Sequence, residues 1–363
     1  MSALHRLNTE LSITVIIAEH RLEHIFPAAD KVIFMYDSQI AAVGTPDEVC
    51  AALYERGMMF AAMPAPARLY ALTKGSGKCP LTVKQGRQYV RQRITGAVIE
   101  HEIEKKADKS GSDDEKAKIA LELKGIWFRY GRNTPDVLKG ASLRVKTGTV
   151  MCVLGDNASG KTTALGIAAG LYKPYSGTVR VQGCTPGKAA GDAAAALLPQ
   201  NARDMFTYES VSEEARSITP DIAQSLGIDT QSRRHPYDLS GGERQLLALG
   251  KLLCSGKRVI LLDEPTKGTD ALVKERLCRI ITDYKQRGFT FVIVTHDVEF
   301  AAKCADVCAM LFDGVITSLA PAREFFSLNS YYTTAASLMT RGMLDGVITV
   351  EQAAHIIGGG ADL

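Results

Sequence analysis

The chain has 363 residues, 46% of them hydrophobic and 23% charged, with a formal net charge of +3. That length can hold two ordinary globular domains, and so small a positive balance argues against nucleic acid or a strongly anionic surface as the partner. No run approaches the ~20 apolar residues that cross a bilayer, and the N-terminus lacks a signal-peptide pattern.

Residues 1–11 read as the end of an amphipathic helix through Leu4, Leu7 and Leu11. A buried strand at 14–18 follows, then a helix through Ala28 and a strand–turn–strand around 32–43. Thr45 is placed to cap the next helix, with Pro46 at its first position. Residues 51–100 are mixed, with CPLTV at 79–83. Residues 101–117 (HEIEKKADKSGSDDEKA) are nearly all charged or small and read as a solvated linker. From Leu121 the pattern alternates as in a strand: Leu121, Leu123, then Ile126, Phe128 and Tyr130. A turn at 131–135 leads to a second strand at 141–145. Gly148 turns the chain into 150–154, an uninterrupted apolar run suited to a strand buried on both faces. Residues 201–240 are polar and helix-rich, as an inserted subdomain would be. Residues 259–262 and 291–294 are two more apolar strands, each preceded by a helical stretch. Strands alternating with helices predict an α/β fold with a mostly parallel sheet and a helical insertion. The eight cysteines show no paired metal spacing and read as buried, reduced thiols of a cytosolic protein.

Residues 14–20 read TVIIAEH and residues 290–296 read TFVIVTH, so His20 and His296 stand 276 positions apart. The same offset, without a gap, pairs Glu23 with Glu299, Asp30 with Asp306, Asp37 with Asp313, Ile40 with Ile316 and Glu48 with Glu324. A long fixed period of this kind indicates a duplicated unit. The first copy starts only at its final third, without the phosphate-binding part of the second, and His20 therefore reads as non-catalytic.

Three motifs carry chemistry. Gly155, Asp156, Asn157, Ala158, Ser159, Gly160, Lys161 and Thr162 fit GxxxxGK[ST] between an apolar strand and a helix that begins at Thr163. Such a loop converges its backbone N–H groups on phosphates, places the lysine cation at the β/γ oxygens and offers the threonine hydroxyl to Mg²⁺. About 100 residues on, an apolar strand ends in Asp263 and Glu264, which brings two carboxylates to the ligand crevice of a parallel sheet. Asp263 would hold the metal or its water, and Glu264 would polarise the attacking water. The third motif is LSGGERQ at 239–245, in which Ser240 can cap a helix, with Glu243 at the capping-box position and Gly241 and Gly242 baring backbone N–H groups.

Together these resemble the ATP-binding cassette (ABC) ATPase family, whose signature sequence is this third motif. The resemblance covers 121–316 closely and, as a fragment, 14–49. It implies that Ser240, Gly241 and Gly242 contact the γ-phosphate of ATP held by an opposing cassette. It also implies that Gln200 senses Mg²⁺ and the γ-phosphate, that Asp270 belongs to the D-loop, and that His296 is the switch histidine. Tyr130 would stack on adenine. LLPQN at 197–201, AEHRLEH at 18–24, CPLTV and YYTTAA at 331–336 look like the energy-coupling factor branch, importers of vitamins and of cobalt or nickel ions, in which some subunits carry two cassettes.

On this reading residues 1–50 are the C-terminal fragment of a first cassette, truncated at its N-terminus, 51–100 its extension, and 101–117 a linker. Residues 118–318 form a complete ATPase domain and 319–363 a C-terminal extension. The protein would be an ATPase using ATP and Mg²⁺, peripheral at the cytoplasmic face of the membrane. Its partners would be integral-membrane transporter subunits and a second cassette, with no nucleic acid. Two alternatives are a soluble tandem ABC protein acting on ribosomes or nucleic acid, and a truncated, non-functional gene product.

Overall fold

The computed structural model describes residues 2–19, 22–36, 38–56, 60–94, 118–186 and 195–358; the linker at 101–117 and His20 lie outside them. The chain divides into two compact units, one of residues 1–100, 270–272 and 334–363, the other of residues 101–269 and 273–333.

In the second unit, strand β3 (Ile119–Phe128) lies between β4 (Leu138–Lys146) and β6 (Ser176–Val181) in an antiparallel sheet. The register slips between Leu123 and Ile126, where Gly125 takes a φ of +57°. This bulge explains why the apolar alternation of β3 changes phase there, keeping both Leu123 and Ile126 on the core side. The main sheet runs in the order β11–β10–β5–β9–β8–β7, with β5 (Val150–Leu154), β7 (Ala196–Leu198), β8 (Val259–Asp263), β9 (Thr290–Val294) and β10 (Val307–Phe312) parallel. Only β11 (Val315–Pro321) is antiparallel, joined to β10 by a hairpin. Every residue of β5, β8 and β9 is buried, as central strands covered on both faces require. Burying each of these Val, Leu and Ile side chains contributes about 1.5–3 kcal/mol. Because the strands are parallel, their C-terminal ends share one edge of the sheet. The loops singled out in the sequence all leave from it: Gly155 after β5, Gln200 after β7, Glu264 after β8 and His296 after β9.

The first unit holds a hairpin of β1 (Val32–Tyr36) and β2 (Gln39–Gly44), followed by the helix Pro46–Arg56. Its pairing repeats that of β10 and β11. Met35 faces Ile40 as Leu311 faces Ile316, and the register slips between Phe34 and Met35 as it does between Met310 and Leu311. Each slip lies at the same place under the 276-residue offset, so the likeness of the two segments extends to a backbone irregularity. Residues 14–18, expected as a strand, form none. Their counterpart β9 takes its hydrogen bonds from β5 and β8. Among the described residues of the first unit the only strands are β1 and β2, which pair with each other, so 14–18 has no ladder to join. The helix expected through Ala28 stops at Ile25 and continues as a 3₁₀ turn, Phe26–Ala28, in which Pro27 has no N–H to give a longer helix.

A separate core of the same unit is built by the helices Ala65–Leu72, Val83–Ile94, Ala335–Thr340 and Val350–Ile357. Leu69, Val90, Ala336, Met339, Val350 and Ala353 fill it. Arg68 also pairs with Glu351. Leu69 is fully buried, and Leu69→Ala should cost about 2–5 kcal/mol, read as an earlier urea transition of this unit. An unchanged transition would mean that the cluster closes over the cavity.

Candidate active site

The loop after β5 turns under β10. A Cβ on Gly155 would lie 2.2 Å from the Leu311 carbonyl oxygen, and Gly160 takes a φ of +102°, so both positions demand glycine. Gly160 then precedes the helix Lys161–Ala168, whose first N–H groups face the loop. Lys161 is buried, and its Nζ donates to the Gly155 and Asp156 carbonyls at 2.7 Å each. Burial holds its pKa below the usual lysine value, opposed by the carboxylates of Glu264, Asp263 and Asp156.

Asp263, the last residue of β8, is also buried, and burial raises its pKa. The Thr162 hydroxyl and the Lys161 cation act in the other direction. Its Oδ1 has no hydrogen-bond partner among the described residues. Glu264 adopts a left-handed φ of +50°, and its N–H donates to Val294 O at 2.8 Å, fixing it at the end of β8. One carboxylate oxygen, Oε2, then lies 2.8 Å from His296 Nδ1 and accepts the His296 backbone N–H at 3.4 Å. A strained backbone residue whose side chain is held by a second strand end is an arrangement found at functional sites.

Tyr130, Asn157, Ala158, Gly160, Lys161, Thr162, Thr163, Gln200, Asp263 and Glu264 line one cleft of about 350 Å³. The Tyr130 ring is largely exposed, packs edge-on against Phe128 and Tyr172, and has its hydroxyl 2.9 Å from Thr163 Oγ1. Gly155, Asp156 and Ser159 complete the loop behind this wall, and the buried Ser159 hydroxyl is unpartnered among the described residues. Two further residues join the site that the sequence did not single out for it. Val137 lines the cleft, and Tyr332 donates its hydroxyl to Asp156 Oδ1 at 3.1 Å, with its pKa pushed up to about 12 by burial and by Asp156.

Ser240, Gly241 and Gly242 are not among the cleft residues. They open the helix Gly241–Leu253 through a reciprocal cap: Ser240 Oγ accepts the Glu243 N–H at 3.2 Å, and Glu243 Oε2 accepts the Ser240 N–H at 2.7 Å. Burial opposes ionisation of Glu243, but the Ser240 and Arg234 hydrogen bonds outweigh it and hold the carboxyl below its ordinary value. Ser240→Ala should therefore lose about 0.5–2 kcal/mol of stability. A denaturation midpoint equal to the parent's would remove the cap from the account. Asp270 is exposed and immediately precedes the helix Ala271–Gln286.

The profile of the ABC transporter family matches residues 138–267. A protein of Pyrococcus furiosus, provisionally named an ABC transporter ATP-binding protein, is 33% identical over 226 residues, covering 58% of this chain and 86% of that relative. The chain belongs to the ABC transporter ATP-binding proteins. A Bacillus anthracis protein with the same provisional name is 32% identical over 366 residues, 97% of this chain. The chain spans 65% of that relative's length. Among solved structures, CbiO1 of Clostridium perfringens, part of the ABC transporter complex CbiONQ, shares the cassette fold at a TM-score of 0.51 and 20% identity, covering 58% of this chain and 92% of that one. The second unit thus has the fold of an ABC cassette, with the 155–162 loop, the Asp263–Glu264 pair and the helix Gly241–Leu253 on the elements described above.

Proposed function

We propose that this chain is an ATP-hydrolysing subunit of an importer of the energy-coupling factor type, peripheral at the cytoplasmic face of the membrane. It would drive uptake of a vitamin or metal ion through integral-membrane partners. The observation that carries this reading is the convergence of Lys161, Thr162, Asp263 and Glu264 in one cleft, with the Ser240–Gly242 helix start outside it. ATP placed on the P-loop would meet Lys161 at its β/γ oxygens and Tyr130 at its base. Glu264 would polarise the attacking water, and His296 would meet the γ-phosphate. Thr162, Gln200 and Asp263 supply the oxygen donors a hard divalent cation prefers, and the unpartnered Asp263 Oδ1 is an acceptor such a cation would satisfy. Bound there, Mg²⁺ would draw charge from the phosphate oxygens. Among the described residues no helix is long and apolar enough to cross a membrane.

A second cassette would supply the missing signature, with Gln200 and Asp270 relaying closure. The first unit supports a tandem arrangement. Ile33 and Met35 are 59% and 62% exposed, whereas their counterparts Ala309 and Leu311 are fully buried. This is the face that strands of a complete cassette cover. Pairing of two copies of this chain is also open to it, since each carries a P-loop and a signature and two-fold pairing is the commonest arrangement. Sedimentation of the Glu264→Gln variant with Mg-ATP should show concentration-dependent pairing that Ser240→Arg abolishes. A strict monomer in both would remove self-pairing.

Lys161→Ala tests the nucleotide site. Hydrogen bonds to charged groups contribute about 1.5–3 kcal/mol, so the Kd for ATP should rise by roughly 10- to 100-fold. Equilibrium dialysis at the parental affinity would sink the assignment. ATP-dependent uptake in vesicles containing the membrane partners tests the transport reading, and no stimulation by the chain would end it.

A further inference from the structure

The nucleotide cleft makes no use of a pocket of about 340 Å³ in the first unit, formed by the helices Pro46–Arg56 and Ala65–Leu72 and the loop at 74–79. Two thiols far apart in sequence line it, Cys50 from the first helix and Cys79 from the loop. The same two segments are tied by an ion pair, Lys78 Nζ to Asp47 Oδ2 at 3.7 Å. The loop itself is held by Tyr70, whose hydroxyl donates to Gly77 O at 2.6 Å and whose carbonyl accepts the Gly75 N–H at 2.8 Å. Cys50 is buried at the pocket wall, while Cys79 is partly exposed.

We propose that Cys50 and Cys79 form a redox-active pair that a low-molecular-weight disulfide converts to an intramolecular disulfide, with Cys79 attacking and Cys50 resolving. The geometry supplies the pocket for the incoming disulfide and two thiols that line it, with Cys79 packed against the cluster that holds Cys50. Exposure divides the roles, since Cys79 is partly open to an incoming disulfide and Cys50 is buried, and the electrostatics run the same way. The Cys50 thiol hydrogen-bonds Cys79 and favours its thiolate, against burial and the Asp47 charge, while the same bond and burial push Cys50 upward. The thiolate is the nucleophile in such exchange.

The chemistry balances with oxidised glutathione as the oxidant. The Cys79 thiolate attacks one glutathione sulfur, breaking the glutathione S–S bond, forming a Cys79–glutathione disulfide and releasing one glutathione thiolate, which takes up a proton. Cys50 then gives its proton to solvent, attacks Cys79 Sγ and displaces the second glutathione. Two protein thiols and one glutathione disulfide become one protein disulfide and two reduced glutathiones. The cysteines of the second unit make a contrast. Cys304 is buried and held well above the thiol range by its hydrogen bond with Cys152 and by burial, and Cys308 is likewise pushed up by burial.

The test treats the full chain with oxidised glutathione, quenches with acid and iodoacetamide, and maps the peptides by mass. The expected product is a joined pair of peptides carrying Cys50 and Cys79, lighter than the reduced pair by two hydrogens and reversed by dithiothreitol. Cys50→Ser should instead trap glutathione on Cys79, and Cys79→Ser should leave Cys50 without an adduct. The exposed Cys184 serves as the control that takes an adduct with no resolving partner. The parent protein decides the matter even if a variant folds poorly: treated parent protein lacking the joined peptide, with Cys184 modified, overturns the proposal. An adduct on Cys50 in the Cys79→Ser chain overturns the assignment of roles.

Discussion

Glu264→Gln should keep ATP bound while slowing its hydrolysis by about 10²–10⁴-fold, the usual contribution of a general base. The amide has the carboxylate's shape, and the backbone that positions it is unchanged, because the residue is held at φ +50° by its N–H to Val294 O. What changes is the charge facing His296 at 2.8 Å and the capacity to take a proton from water. Nucleotide retained on the protein after rapid gel filtration, together with steady-state turnover, reads both halves of the expectation. Hydrolysis at the parental rate would move the base elsewhere, and loss of binding would make Glu264 a structural support of the loop.

Removing residues 1–117 should leave the cassette's phosphate-facing residues in place yet yield a poorly soluble protein. All of those residues lie between Tyr130 and His296, within the second unit. The helices Ala335–Thr340 and Val350–Ile357, however, bury Ala336, Met339, Val350 and Ala353 against Leu69 and Val90, which the deletion takes away. Helices of six and eight residues do not stand alone in water, and the exposed apolar faces would drive association. Removing 334–363 as well should restore a monodisperse protein with ATP affinity near the parent's. Size-exclusion chromatography and ATP titration of the two truncations compare them directly. A single deletion as soluble as the double would show that the C-terminal helices find another partner.

The contrast between these two experiments marks how far the sequence reaches. The α/β fold was legible because its signals are local: an apolar run buried on both faces, a glycine turn, a helix start. Parallel order then places every strand's C-terminal end on one edge, so Lys161, Asp263, Glu264 and His296 could be expected near one another before any contact was seen. The capping box at Ser240 was legible for the same reason, since its donors and acceptors lie within four residues. The strand–turn–strand around 32–43 was likewise legible in the local pattern, whereas the register slip at Phe34 came only from the folded structure.

What required the tertiary structure is non-local. Residues 14–18 have the apolar pattern of a strand, but a strand exists only where neighbours accept its N–H and C=O groups, and pattern carries no record of neighbours. Tyr332 reaches Asp156 across the whole length of the cassette, and Thr334 onward folds against helices more than 240 residues earlier. Cys50 and Cys79 look like two ordinary apolar thiols until a helix and a loop close the same pocket around them. In each case the deciding energy is burial or a hydrogen bond between segments whose sequence separation hides the contact. Only the folded chain, which has already offset the entropy of bringing those segments together, reveals it.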